Sequence, residues 1–267
     1  MNTPLFSIIT CTLNSAEWVD ESIRSVLCQR DVCVDYVFVD GGSTDGTLEK
    51  LRSIPRDITL IENCREGISA AMNAGITAAR GKIIAHLHSD DFYLHPNVLR
   101  DVGRGFESSG CRWLFGRTAL VINGRLIPEN YAAPRYSRAQ LLNGNFIPHP
   151  ATFVERSLLQ TSGGFNTRLR YAMDYDLWLR LAAIAEPLQL DTALTAFREH
   201  AGSLSTRNRM AAIKEDLEVR LSHTGPRPLQ RLMHHARYLV RRQRALRQIA
   251  RQQPNGNPMS KGSPSHA

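Results

Sequence analysis

Lys82-Ile83-Ile84-Ala85-His86-Leu87-His88-Ser89-Asp90-Asp91-Phe92 is the stretch on which the reading of this chain turns. An apolar run of strand character stops abruptly at two adjacent carboxylates. Ligands of open α/β sheets bind outside the carboxyl ends of the strands, so Asp90 and Asp91 would stand there on a rigid support. Their hard anionic oxygens suit Mg²⁺ or Mn²⁺ gripping substrate phosphates. A plainer reading has Asp90 opening a loop and Asp91 capping a helix, roles in which Asp is common.

The residues before this strand alternate in type. Residues 6–11 and 36–39 are short β-rich runs closed by polar residues, and residues 16–29 between them repeat apolar side chains at helical spacing. That is a βαβ unit. A helix over 44–52, a strand over 58–61, a helix over 69–80 and the strand over 82–87 continue the pattern. Four strands with three crossover helices predict an α/β fold built on a Rossmann-like, doubly wound, mostly parallel sheet. After Asp91 a helix is expected over 96–106, then strands over 112–127 turning at Asn123-Gly124, a strong hairpin signal. A short helix over 157–163 should end through positive φ at the Gly163-Gly164 pair. Another helix is expected over 174–185.

With 267 residues and 42% hydrophobic content, the chain can bury a full core without disulfides. Its five cysteines are scattered, with no Cys-x-x-Cys pair, which suits a reducing compartment and no zinc site. The first residues lack a basic segment followed by an apolar one, and no run reaches the roughly 18 apolar residues of a membrane span. A cytoplasmic protein is expected. The net charge of +8 is placed unevenly: no Asp or Glu follows Glu218, whereas ten of the 33 basic residues do. Residues 1–218 are therefore close to neutral, a pattern that does not favour nucleic acid.

The surplus lies in a basic amphipathic helix expected over 219–252, an extension to a main domain over 1–218. There Leu229, Leu232, Met233, Ala236, Leu239, Val240, Leu246 and Ile249 recur at steps of three and four among arginines. Such a helix either packs on the domain or lies on an anionic membrane surface, making the protein peripheral on the inner face of a membrane. Tyr238 is its one aromatic residue, against RNA binding. Residues 253–267, rich in Pro, Gly, Ser and Asn, are expected to be disordered.

Two further clusters carry chemistry. Val39-Asp40-Gly41-Gly42-Ser43-Thr44-Asp45-Gly46-Thr47 puts an acid at a sheet edge before a tight turn, where Asp40 can accept from a ribose or base or merely shape the turn. Gly67 to Ile76 opens a helix with small residues, allowing either an anion at its free N–H groups or close helix packing.

Together with Ser7-Ile8-Ile9-Thr10-Cys11-Thr12-Leu13-Asn14 and Asp174-Tyr175-Asp176-Leu177-Trp178-Leu179-Arg180, these clusters stand in an order that resembles family 2 glycosyltransferases, over roughly residues 5–205. The resemblance implies the GT-A fold, a nucleotide-sugar donor, a divalent cation (Mn²⁺ or Mg²⁺) and inversion at the anomeric carbon. It assigns donor contacts to Thr10, Asn14, Asp40, Asn73, His88, Asp90 and Arg198. Asp90 becomes the metal ligand, with His200 completing the shell, and Asp174 becomes the base that deprotonates an acceptor hydroxyl, with Asp176 in reserve. His88 stands where the family's first metal-motif Asp is usual, and Gly41 where a second Asp is common; imidazole brings no negative charge to the ion.

The expected activity is transfer of a sugar from a nucleoside diphosphate sugar to a saccharide or lipid-linked acceptor in surface-polysaccharide synthesis. Alternatives are a polyprenyl-phosphate sugar synthase and an inactive nucleotide-sugar-binding scaffold. A dinucleotide-binding dehydrogenase is disfavoured because Cys11-Thr12-Leu13-Asn14 holds no glycine. His149, between two prolines, is either an acceptor-site side chain or a structural histidine.

Overall fold

The computed structural model describes residues 4–127, 133–198 and 208–252. Its first half is the expected parallel sheet. Strands β1 (Phe6–Thr12), β2 (Val34–Asp40), β3 (Thr59–Ile61) and β4 (Ile83–His86) lie in the order β3-β2-β1-β4, all parallel. Helices α1 (Val19–Leu27), α2 (Thr47–Arg52) and α3 (Ile68–Ala78) make the crossovers. Side chains alternate across the strands. Ile8, Tyr36, Phe38, Ile83 and Ala85 share one core with α1 and α2, while Ile9, Val37, Val39 and Ile84 share the other with α3.

Beyond β4 the sheet becomes mixed. A two-residue β5 (Phe92–Tyr93) and α4 (Val98–Ser109) lead to β6 (Trp113–Ile122), which turns into β7 (Arg125–Ile127) through Asn123 and Gly124, both at positive φ as the dipeptide predicted. Helix α5 (Arg138–Asn143) precedes a 3₁₀ turn at His149–Ala151 and β8 (Thr152–Glu155), which runs antiparallel between β4 and β6. Helix α6 (Arg156–Ser162) ends at Gly163 and Gly164, both at positive φ. Then come α7 (Met173–Ile184), β9 (Leu188–Arg198), α8 (Arg209–Thr224) and α9 (Pro228–Gln252). The short β5 and β8 and the long β9 carry no clear period in the sequence and were not foreseen.

The boundary expected at residue 218 falls inside α8, one continuous helix. Val219 belongs to the same core as α7, and Arg220 is buried. The helix that carries the basic apolar-striped sequence starts at Pro228, after Gly225. The tail expected to be disordered, 253–267, lies outside the described residues.

The amino end of β4 is pinned to β1. Ser7 Oγ donates to Asp35 Oδ2 at 2.6 Å and accepts from Gly81 N at 2.7 Å, while the Arg80 guanidinium pairs with Asp35. A Cβ on Gly81 would meet the Phe6 carbonyl carbon and Ser7 N at 2.4 Å, backbone that cannot swing aside. Gly81→Ala should therefore cost roughly 2–3 kcal/mol in urea unfolding, as overpacking does; an unchanged midpoint would mean that β1 yields there.

Candidate active site

Asp40, Asn14, His88 and Asp90 stand at the carboxyl edge of the parallel strands, though not all face outward. The Asp40 side chain is wholly buried and accepts four hydrogen bonds, from Gly42 N, Ser43 N, Ser43 Oγ and Thr12 Oγ1, at 2.6–2.8 Å. Burial pushes its pKa up, but these donors outweigh burial and hold it below the usual range. Asp40 thus organises the turn after β2. Asn14, exposed and at φ 50°, clips the same turn: its Oδ1 accepts from Thr44 N and its N–H donates to Ser43 Oγ.

Three of the expected donor contacts are otherwise engaged. Thr10 is buried with its hydroxyl donating to the Leu87 carbonyl at 2.7 Å, so it ties β1 to the end of β4 instead of facing a ligand. The hydroxyl of β1 that reaches the turn is that of Thr12, on the same face as Thr10 but at the carboxyl end of the strand, opposite Asp40. The Asn73 amide accepts from Phe165 N and donates to Phe165 O, both at 2.8 Å, clamping α3 to the segment after α6. Arg198 lies nearly buried behind the Asp90–Asp91 turn. Its guanidinium pairs with Glu21, lies 4.4 Å from the Trp18 ring centre and donates to the Asp90 carbonyl. Its charge is therefore used in bracing the turn.

At that turn Asp90 is half-buried, whereas Asp91 is fully buried and accepts from Arg198 N. Burial, then the neighbouring Asp90, raises the Asp91 pKa well above the usual carboxylate range. Of the two carboxylates, Asp90 is the one partly open to solvent. His88 beside it is half-buried, and burial lowers its pKa against the pull of Asp90, so its ring is neutral at pH 7. Among the described residues no three His, Cys, Asp or Glu form a cage for a metal. One hard carboxylate with an imidazole beside it still fits an ion that takes its other ligands from phosphate oxygens and water, as Mg²⁺ and Mn²⁺ do. His200 lies outside the described residues.

His149 connects this turn with the other side of the site. Its ring centre is 5.1 Å from that of His88, 5.6 Å from His86, and 5.7 Å from both Phe165 and Trp178. Burial drives the His86 pKa down to about 3, with His88 adding to the effect. The segment that presents His149 also presents Asn145, whose Nδ2 donates to Asp174 Oδ2 at 3.0 Å. Asn145 in turn lines a cleft of about 300 Å³ bounded by the 145–148 segment and the paired strands β6 and β9, with Phe115, Arg117, Phe146 and Gln189.

Asp174 sits in the first turn of α7 and accepts from its neighbour Tyr175 N at 2.7 Å. Burial raises its pKa to about 6, overriding those donors. Asp176, the reserve, is engaged by its partners: it is buried and bonded to Arg180 and His223, which outweigh burial and keep its pKa low.

Sequence reasoning missed Glu215 on α8. The N-cap residue Ala172 has no side chain that can cap α7, and Glu215 receives the N–H groups leading into the helix from outside, accepting from Arg170 N, Tyr171 N and Ala172 N. Nothing local marks such a residue, because its targets are 43 to 45 positions away. Its neighbour Asp216 pairs with Arg220 and with Arg241 of α9.

A parallel sheet half with an acidic turn at its carboxyl edge, extended by mixed strands that bring a second carboxylate to the same side, is the GT-A arrangement. S. aureus TarS, residues 1–349 in complex with UDP, superposes with TM-score 0.66 at 20% identity, over 86% of this chain and 68% of that one. The mannosyltransferase PcManGT from Pyrobaculum calidifontis, in complex with GDP-Man and Mn²⁺, gives 0.65 at 18% identity, over 95% and 77%. Residues 7–126 match the family described as "Glycosyl transferase family 2". Among curated relatives, the chondroitin synthase of Pasteurella multocida is 29% identical over 212 residues, 77% of this chain. The chain spans about a fifth of the length of that relative.

Two substitutions test how the site is held. Asp40→Asn removes the charge and turns the acceptor of the Thr12 and Ser43 hydroxyls into a donor, and should cost about 2–3 kcal/mol in urea unfolding; a loss below about 0.5 kcal/mol would mean that the turn stands without it. Glu215→Ala should speed amide exchange at Arg170, Tyr171 and Ala172 by about tenfold or more relative to the rest of the chain, and unchanged exchange would remove Glu215 as the cap.

Proposed function

We propose that the protein transfers a sugar, with inversion, from a nucleoside diphosphate sugar to a hydroxyl of a saccharide or lipid-linked acceptor in cell-surface polysaccharide synthesis, working on the cytoplasmic side of a membrane. The observation that carries this reading is Asp174. It is a half-buried carboxylate at a helix start, its proton affinity raised to about 6 by burial, tied through Asn145 to a cleft and standing in the position of the family's base.

A base of this strength is mostly ionised at pH 7 and strong enough to share a proton with an attacking hydroxyl. Asn145 and the α7 N-terminus orient it, and the cleft beside Asn145 is where the acceptor would sit. The turn organised by Asp40, Thr12 and Asn14 would receive the nucleotide, with backbone groups and hydroxyls more than the saturated Asp40 carboxylate making the contacts. Asp90, with His88 beside it and His200 as the expected further ligand, would hold the divalent cation. When bound, that cation would neutralise charge on the departing diphosphate. Relatives and neighbours support the donor class: the neighbour structures are bound to UDP and to GDP-Man with Mn²⁺.

Incubation with UDP, GDP and dTDP sugars should release one nucleotide slowly, with Mn²⁺ or Mg²⁺ and not with chelator, and Asp90→Ala should abolish it. Silence across the panel together with absent nucleotide binding would favour the scaffold alternative. Once an acceptor is in hand, kcat/KM should fall below about pH 6 because protonation removes the base. Asp174→Asn should reduce kcat by at least about a hundredfold and erase that limb. A variant that keeps its rate would point to an acceptor that is already ionised, such as a polyprenyl phosphate.

A further inference from the structure

Helix α9 packs on the domain by the side opposite to its apolar stripe. Its inner side is made of His234, wholly buried, half-buried Tyr238 and buried Ala245, with Arg231 donating to the Leu221 carbonyl and Arg241 pairing with Asp216. At 3.6 residues per turn, Leu229, Leu232, Met233, Leu239, Val240 and Leu246 fall roughly half a turn away from that side. They are exposed by 40% to 73%. An amphipathic helix of a closed domain would bury those six and expose its polar side; here the polar side makes the contacts.

Charge completes the pattern. Exposed Arg237 and Arg244 border the stripe along one side, and exposed His235 and Arg242 along the other. The helix carries seven arginines and no acidic residue. A second copy of the chain laid on this stripe would face arginine with arginine. RNA would find no outward aromatic ring, since Tyr238 belongs to the inner side. An anionic lipid surface satisfies both features at once: acyl chains take the leucines and lipid phosphates take the arginines.

We infer that α9 is a membrane-docking helix whose outward stripe, from Leu229 to Leu246, seats in the headgroup boundary of an anionic bilayer while its inner side stays fixed to α8. This inference goes beyond the transfer reaction and does not depend on it. No helix among the described residues is long and apolar enough to cross a membrane, so the contact is lateral.

The test is flotation of the full-length protein with vesicles of phosphatidylcholine alone or with about 30 mol% phosphatidylglycerol, at low and high salt. Binding to the anionic vesicles only, weakened by salt, is expected. Leu232→Ser with Leu239→Ser should weaken partition more than tenfold by removing buried apolar area. Arg242→Gln with Arg244→Gln should weaken it about thirtyfold, at about 1 kcal/mol per arginine. All four positions are exposed, so circular dichroism and the thermal midpoint should stay as in the parent, which separates lost docking from lost folding. No vesicle binding, equal binding to both vesicle types, or a protein that dimerises through the stripe or binds RNA in place of vesicles would each overturn the inference. Nucleotide release in solution is read separately and bears only on the transfer reaction.

Discussion

The site depends on the antiparallel seating of β8 against β4, with Ala85 opposite Phe153. A parallel neighbour would have sent its leading segment to the far edge of the sheet. Because β8 runs the other way, the 145–151 segment that precedes it arrives at the carboxyl edge, beside His88 and Asp90. Phe153 makes the seat firm: it is fully buried, edge-on to Phe6 and stacked with Tyr93 at centroid distances of 6.4 and 6.3 Å. His149 and Asn145 then link the acidic turn to the start of α7, so one strand reversal joins two carboxylates more than eighty positions apart.

The parallel half of the fold was legible because its strands alternate with helices and end in polar turns, a pattern set by local chemistry. The Asn123-Gly124 hairpin and the glycine end of α6 were legible for the same reason, since positive φ restricts residue type. β5 and β8 are too short for a period to show, and β9 owes its length to β6, its partner through a bulged register. At the site, residue type marked Asp40, Asp90 and Asp174 but not the direction in which neighbouring side chains turn. Thr10 and Thr12 share one face of β1, but Thr10 bonds to the end of β4 and only Thr12, at the end of its strand, reaches the turn, a difference of depth that the motif alone does not decide. Asn73 and Arg198 have the right chemistry for a donor, and the tertiary structure uses it for packing.

Buried charge forms a second layer behind the site. Glu215 caps α7 from α8, and Asp216 is neutralised by Arg220 and by Arg241 of α9, while Arg237 reaches Asn143 at the end of α5. Asp216 also lies near enough to Asp174 to raise its proton affinity slightly. The last two helices are thus wired into the electrostatics of the proposed base, although the family match ends at residue 126. Breaking one member of such a set leaves a charge without compensation, which is why these residues should tolerate change poorly.

The seating of β8 has a bearing on synthesis. The chain order of the strands is not their order in the sheet, and β4 reaches the ribosome exit about seventy residues before Phe153. The parallel half can close around β1 during that interval, but one edge of β4 stays open, with Ile83, Ile84 and Ala85 presenting unpaired backbone groups. A nascent chain paused between β4 and β8 would therefore carry an adhesive sheet edge, and codon-level pauses in that window should matter more for yield than pauses elsewhere.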